Sequence, residues 1–407
     1  MPLQLSVIIV NYNVKYFLET CLLSVLKAMQ KVDGEIIVVD NHSTDGSFDF
    51  FKNRFPGVKF LWKNSNDGFA KANNEALKLA KSDYILFLNP DTIIPEDCLE
   101  KCISFLVTKN DNGALGIKML DGSGRFLKES KRAFPSPATS FFKMAGLSKL
   151  FPHSKTFSRY HLGSLNANEN QKVDVLAGAF MMVPKKILDK TGAFDESFFM
   201  YGEDIDLSYR IQKAGFNNYY FAESAIIHFK GESTKKGSLN YVKSFYSAMR
   251  IFVKKHYGEN KGRFFLFCLD SAIFLRGTLS AISGIGKKIS GKRKALPEKS
   301  IFIVTGSESE IEMVNKVLKA ALPKAKIAER IDLEKIYEYN FKDIRSKEEA
   351  STNGIIFCEG TLSFKQIIEA MQQVPASVPI RIFACGSHGI VGSSCKNGPG
   401  NVIVEST

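Results

Sequence analysis

Leu5-Ser6-Val7-Ile8-Ile9-Val10 is a short, continuous apolar run rich in β-branched residues. A strand with one wet face alternates apolar and polar residues; a run without alternation reads as a strand buried on both faces of a parallel sheet. The type recurs in Glu35-Ile36-Ile37-Val38-Val39-Asp40, Val58-Lys59-Phe60-Leu61-Trp62 and Tyr84-Ile85-Leu86-Phe87-Leu88. Between these runs the spacing turns helical: Phe17, Cys21, Leu22, Val25 and Leu26 lie within a helix over Tyr16 to Lys27, and a second opens near Asn66 and runs to about Ala80. Asn41-His42-Ser43-Thr44-Asp45-Gly46-Ser47 is a turn cluster leading into another helix. Strand and helix in alternation predict an α/β domain with a mainly parallel central sheet. Such sheets take ligands at the carboxyl ends of their strands. Asn11, Asp40 and, after Asn89-Pro90, Asp91 all fall there.

A second concentration of chemistry lies at mid-chain, in Gly202-Glu203-Asp204-Ile205-Asp206-Leu207-Ser208-Tyr209-Arg210. A helix from Asp204 to Lys213 puts Leu207, Ile211 and Ala214 on one face and Asp206, Arg210 and Lys213 on another. Its first turn then carries the acids, where the helix dipole favours anions. A carboxylate so placed beside Phe198, Phe199 and Tyr201 is a candidate general base. The alternative is an acidic turn that only caps a surface helix.

The chain has 407 residues, enough for two or three domains, and a formal charge of +13. Residues 298–407 hold 13 Lys and Arg against 14 Asp and Glu, net −1, so residues 1–297 carry +14. Ten basic residues against Glu259 and Asp270 give +8 to residues 251–297 alone. The excess points to an anionic partner such as a phosphorylated small molecule or a membrane surface. Nucleic acid is not expected, because the basic residues cluster beside apolar ones and no nucleic-acid motif accompanies them. The cysteines are scattered singly, as buried thiols of a reducing compartment would be. Met1-Pro2-Leu3-Gln4 leads straight into a strand without the shape of a signal peptide. A cytoplasmic protein is expected, peripheral on the inner face of the plasma membrane if it touches a membrane.

Five segments occur in a telling order: Ser6 to Asn13, Val38 to Ser47, Asn66-Asp67-Gly68-Phe69-Ala70, Leu88-Asn89-Pro90-Asp91 and Gly202 to Leu207. Together they resemble the family 2 glycosyltransferases of the GT-A fold, in the rhamnosyltransferase-like branch, over about residues 4–250. The resemblance implies a nucleotide-sugar donor held by Val10, Asn11, Tyr12, Asp40, Asn66, Gly68, Asn73, Asn89 and Arg210. It implies Asp204 as the base that deprotonates the acceptor hydroxyl, with Glu203 beside it and Gly178 lining the acceptor pocket. It also implies a divalent metal on the diphosphate, Mg²⁺ or Mn²⁺, held by Asp91 and His228. The usual Asp-x-Asp pair is here Asn89-Pro90-Asp91, which leaves one charged ligand in that motif. Hard cations take further oxygens from phosphate and water, so one carboxylate can suffice.

The remaining chain is less specific. Residues 110–172 are rich in Pro, Ser and Asn and read as long loops. Residues 251–297 combine apolar runs at 264–269 and 272–275 with Lys287, Lys288, Lys292, Arg293 and Lys294. No run reaches the roughly 20 uncharged residues of a spanning helix. The segment is either an interfacial anchor on an anionic leaflet or a packed helix followed by a solvated linker. Residues 298–407 repeat the α/β pattern in a smaller domain whose Gly386-Ser387-His388-Gly389-Ile390-Val391-Gly392 lacks a phosphate-loop lysine. The expectation is an inverting, metal-dependent glycosyltransferase that moves a sugar from UDP or dTDP, dTDP-rhamnose for example, to a glycan or lipid-linked acceptor. The alternative is a non-catalytic sugar-nucleotide-binding module.

Overall fold

The structure is a computed structural model; it describes residues 4–136, 138, 139, 142, 147–229, 239–258, 262, 263, 265–267, 296, 299–331, 353–393 and 400–404. The expected inner strands form as β1 (Leu5–Asn11), β2 (Gly34–Asp40), β3 (Val58–Trp62) and β4 (Tyr84–Leu88), all mutually parallel, with α1 (Lys15–Ala28), α2 (Ser47–Phe51) and α3 (Phe69–Leu77) between them. Every residue of β1 is buried, as its unbroken apolar run requires. Register pairs Asn11 with Asp40, so the polar residues that end the two runs arrive side by side.

The other half of the sheet is mixed. It contains β5 (Thr92–Ile93), β6 (Asn112–Leu120), β7 (Gln171–Val173), β8 (Phe180–Pro184) and β9 (Asn217–His228), with α4 (Cys98–Val107), α5 (Lys185–Thr191) and α6 (Glu203–Lys213) on its faces. The order is β3-β2-β1-β4-β8-β6-β9-β5, with β7 paired to β9. β8 runs antiparallel to β4 and β6, while β6 and β9 are parallel. This is an α/β fold of the GT-A type: a parallel half that can hold a ligand at its strand ends, continued by a mixed half. Helix α7 (Leu239–His256) runs through residue 250, the expected domain end, and packs Ala248 and Phe252 with Phe198 and Ile205.

A smaller domain follows, with β10 (Ile301–Thr305), α8 (Glu308–Ala321), β11 (Lys326–Ile331), β12 (Gly354–Cys358), α9 (Phe364–Met371), β13 (Ile380–Phe383), β14 (Gly389–Ser393) and β15 (Gly400–Val404). Its sheet has the order β11-β10-β12-β13-β14-β15, parallel as far as β13 and then antiparallel. The Gly-rich segment past Phe383 is therefore the turn into a plain edge hairpin, β14 and β15. The two domains share apolar core: Val14, Phe17, Ile93, Leu120, Ile227 and Phe229 cluster with residues of the second domain such as Phe357, Phe364, Ile368 and Met371. No described helix is long and apolar enough to cross a membrane. The expected anchor falls largely on residues 268–295, which lie outside the described residues.

Candidate active site

The donor edge is built where β1 and β2 stop. Asn11 Nδ2 donates to Asp40 Oδ1 at 2.7 Å and also meets Ser43 and Ser47 Oγ at 3.2 and 3.0 Å. Asp40 Oδ2 accepts from the Ser43 amide at 2.9 Å, which ties the turn after β2 to the sheet. Asn13 and His42, the residues just past these strands, both have positive φ, 57° and 67°. Such backbone is costly for residues with a Cβ, but Asn13 repays it locally, because its Oδ1 accepts from the Thr44 amide at 2.7 Å. Val10 and Asn11 are buried and Tyr12 is half-buried beside them. Buried Asn11 Oδ1 has no hydrogen-bond partner.

A second loop closes over this edge. Asn41 Nδ2 donates to Asn66 Oδ1 at 2.8 Å, and the Asn66 oxygen also takes the Gly68 amide at 3.1 Å. Gly68 has φ 88°, and a Cβ there would stand 2.5 Å from the Phe199 carbonyl oxygen. The glycine thus serves both its left-handed backbone and a close approach, completed by the Phe69 amide donating to the same carbonyl at 2.9 Å. Asn73 is spent inside its own helix, with Nδ2 on the Phe69 carbonyl at 2.9 Å.

Asp91 lies in the turn between β4 and β5, and His228 ends β9. Strand pairing sets Thr92 opposite His228, and the Phe229 amide donates to the Asp91 carbonyl at 3.0 Å. His228 Nε2 consequently stands 3.3 Å from Asp91 Oδ1 and 3.3 Å from Asn89 Nδ2. Among the described residues no three His, Cys, Asp or Glu side chains gather as a metal site. The donors present still suit a hard or borderline divalent ion: a buried carboxylate, an imidazole and an amide that offers its oxygen when turned over, with remaining positions left to phosphate.

Helix α6 carries the acids, and the structure gives them different fates. Tyr201 and Gly202 have φ 70° and 88°, a sharp double turn that starts the helix at Glu203. Asp204 Oδ2 accepts from Arg132 Nη2 at 2.6 Å and from the Gly178 amide at 3.1 Å. Burial opposes the Arg132 charge, but Asp204 and Tyr160 beside it outweigh that and hold the guanidinium firmly protonated. A Cβ on Gly178 would stand 3.4 Å from the Asp204 Cβ, so any larger side chain would crowd the carboxylate. Burial, and then the charge of Asp204, push the Glu203 carboxyl up to about 8, and its Oε2 has no hydrogen-bond partner. Asp206 is fully buried; burial alone would raise it, but His256, Lys255 and Arg210 bring it down to about 2. Arg210 donates Nε to Asp206 at 2.7 Å and its other nitrogens to the carbonyls of Thr191, Gly192 and Ala193. Arg210 thereby ties α6 to the end of α5 and stands apart from the residues that meet at the strand ends.

One short stretch joins the donor edge to Asp204. The Asn89 amide donates to the Ala179 carbonyl at 3.0 Å, while the adjacent Gly178 amide holds Asp204. An open groove of about 280 Å³ lies between the loop Ser197–Met200 and α7, lined by Phe198, Phe199, Met200, Ser247, Ala248 and Ile251. The residues that sequence reading passed over as site residues are Arg132 and Asn41. Arg132 reaches the site through an isolated bridge to Val175, a pairing without any local sequence signal. Asn41 stood inside a turn cluster and carried no separate mark.

Comparison with known proteins fits this geometry. Residues 6–192 match the profile described as Glycosyl transferase family 2. The N-acetylglucosaminyl-diphospho-decaprenol L-rhamnosyltransferase of Mycobacterium tuberculosis is 27% identical over 260 residues, 61% of this chain and 83% of that protein. Rhamnosyltransferase WbbL of Escherichia coli is 31% identical over 171 residues, 40% of this chain and 61% of that protein. Among solved structures, the mannosyltransferase PcManGT of Pyrobaculum calidifontis, in complex with GDP-Man and Mn²⁺, superposes with a TM-score of 0.43 at 15% identity, over 80% of this chain and 82% of that one. Likeness of that degree adds nothing to what the strand order already gives.

Proposed function

We propose that this chain is a family 2 glycosyltransferase of the GT-A fold, and that it transfers a sugar from a nucleoside diphosphate to a hydroxyl of a glycan or lipid-linked acceptor in cell-surface polysaccharide synthesis. The observation that carries the reading is the Gly178–Ala179 junction, where two consecutive residues hold Asp204 through one amide and the Asn89–Asp91 turn through the next carbonyl. The chain being an enzyme, the non-catalytic alternative is set aside. Val10, Asn11, Tyr12 and Asp40 hold the nucleoside at the strand ends. Asn66, Gly68 and Asn89 shape the wall along which the diphosphate and sugar lie. Asn73 acts through the helix that follows Gly68, and Arg210 acts as a tie rather than a donor ligand.

Asp204 takes the proton of the acceptor hydroxyl. The freed oxygen bonds to the anomeric carbon as the bond from that carbon to the diphosphate breaks, and the electron pair leaves with the diphosphate. Attack from the face opposite the leaving group inverts the anomeric configuration. Arg132 and the Gly178 amide fix the base so that it meets the hydroxyl in one orientation. Glu203, neutral near pH 7, adds no second negative charge beside the base. A divalent cation held by Asp91 and His228 would, when bound, neutralise charge on the leaving diphosphate; the imidazole suits Mn²⁺ better than Mg²⁺. A rhamnosyl donor is supported by the two similar rhamnosyltransferases.

Calorimetric titration with UDP and dTDP, each with and without Mn²⁺, tests the donor site in the wild type and in Asp91→Ala. Metal-dependent binding of one nucleotide, lost in the variant, is the expected result. Binding of neither nucleotide under either condition would remove the donor assignment.

A further inference from the structure

The second domain touches the catalytic domain with one helix in particular. At the start of α9, the Phe364 and Lys365 amides donate to Glu96 Oε1 and Oε2 at 2.7 and 3.1 Å, and Lys365 Nζ reaches Asp97 Oδ2 at 2.8 Å. Just past its end, Arg125 Nη1 donates to the Gln372 carbonyl at 3.0 Å and Nη2 donates to the Val374 carbonyl. Gly124, next to Arg125, has no room for a Cβ, which would stand 2.3 Å from the Met371 carbonyl oxygen. The helix is therefore held at both ends by the catalytic domain. Between those ends its buried face, Phe364, Ile367, Ile368 and Met371, shares a core with Ile93, Leu120, Ile227 and Phe229.

The position of those last residues matters. Ile93 lies two residues after Asp91. Ile227 and Phe229 flank His228 on either side. The Phe229 amide is the donor that binds the Asp91 carbonyl, and the Phe229 ring packs on Phe17 with centroids 5.2 Å apart. Glu96 lies five residues after Asp91, in the separate turn that leads from β5 into α4. A two-residue strand such as β5 makes too few ladder bonds to fix its own position. Its packing must come from elsewhere: α1 supplies part of it, with Cys21 Sγ 3.6 Å from Thr92 Oγ1 and the Ile94 amide donating to Ser24 Oγ at 3.2 Å, and the apolar face of α9 adds the core around Ile93 and Phe229.

We propose that α9 of the second domain is a brace that positions Asp91 and His228 against each other, so that the donor site of the catalytic domain is complete only with the second domain docked. Asp91 and His228 are the ligating residues in this reading, which rests on the metal-site assignment above; Glu96, Arg125 and the apolar face of α9 are positioning residues. The second domain acts on the metal turn mechanically and needs no ligand of its own.

The full-length chain carrying both Glu96→Ala and Arg125→Ala tests the brace. Neither residue belongs to the donor or base machinery. Amide hydrogen exchange is read at Phe229, which reports the bond to Asp91, and at Asn41, whose amide donates to the Asn11 carbonyl at the far donor edge. Exchange at Phe229 should quicken about tenfold or more while Asn41 is unchanged, as for a local opening. The Mn²⁺ dissociation constant should rise about tenfold, the scale of lost support around a metal ligand. Faster exchange in α9 with no change at Phe229 overturns the proposal. Equal quickening at Asn41 signals general unfolding; the milder Glu96→Gln then decides, since equal quickening there as well also overturns it. If the wild type binds no Mn²⁺ yet Phe229 alone quickens, the brace stands and the metal assignment falls.

Discussion

Two sheets in this chain have a parallel portion whose strands end in polar residues, and they use those ends in opposite ways. In the catalytic domain Asn11, Asp40, Asn41 and Asn89 gather at the carboxyl ends of β1, β2 and β4, bonded to one another and to neighbouring loops. The side chains of Asn11 and Asp40 meet each other, Ser43 and Ser47, and among the described residues no carboxylate from a following helix bonds to either. In the second domain the crevice lies between β10 and β12, where the strand order reverses. Glu310 fills it: the carboxylate accepts from the Ser307 amide at 2.7 Å and from the Thr361 amide and hydroxyl at 2.6 and 2.8 Å. Gly306 and Gly360 leave no room beside it, since a Cβ on either would stand 2.7 or 2.2 Å from its oxygens. Glu359, next along, pairs with Lys27 of α1, and His388 donates its amide to buried Glu19. The switch point of an open α/β sheet is a site only where the crevice is left for a ligand. In the second domain the chain's own carboxylates and the docking contact occupy it.

The comparison breaks or sharpens most clearly at Asp204. Asp204→Asn should lower kcat by about 10²–10⁴, the range for a lost general base, while calorimetric nucleotide binding holds. If turnover survives, the acceptor side of the first sheet has no base and the contrast between the sheets loses its functional content. Next comes Asp91→Ala, expected to weaken Mn²⁺-dependent nucleotide binding by about 10–100-fold or more, the least that lost support of a metal ligand costs. Titration at fixed Mn²⁺ measures it.

Glu310→Gln probes the filled crevice. The neutral amide keeps the shape but loses charge-assisted bonds, for a cost of about 1–3 kcal/mol in denaturant unfolding, with nucleotide affinity unchanged. A loss of nucleotide binding without a loss of stability would mean that both crevices hold ligands. An effect of similar size is expected of Glu203→Gln, and it depends on pH. The folded chain holds the Glu203 proton up to about 8, whereas an ordinary glutamate releases it near 4.5. Between those values the folded state binds more protons than the unfolded one, so Glu203 makes stability fall as pH rises through that window. The Gln variant should be flatter from pH 5 to 8 and more stable than wild type at pH 8, by on the order of 1–3 kcal/mol. Melting curves across that range check the slope.

Acidic residues two positions apart on α6 teach the same lesson at shorter range. Asp206 is wholly buried among Arg210, His256 and Lys255, while Asp204 meets one guanidinium and the Gly178 and Ile205 amides at the edge of the site. In sequence both are acids of one helical first turn. His256, at the end of α7, helps separate them: its Nε2 stands 2.6 Å from Asp206 Oδ1.

By itself, the sequence determined the first four strands, within a residue of their observed ends, because their apolar runs must be buried on both faces. It also determined which polar residues stand at the ends of those strands, since a strand stops where its apolar run stops. Helix α6 and its acids follow from the same local rules. Tertiary structure decided what those residues meet. Arg132 and Asp204 are 72 positions apart, and Asn89 and His228 are 139 apart. The mixed half of the sheet that joins them follows from long-range pairing such as that of β6 with β9, which local periodicity does not encode. The docking of α9 against Ile93, Ile227 and Phe229 is likewise a matter of complementary surfaces: each half of the contact reads as an ordinary amphipathic element until the other is set against it.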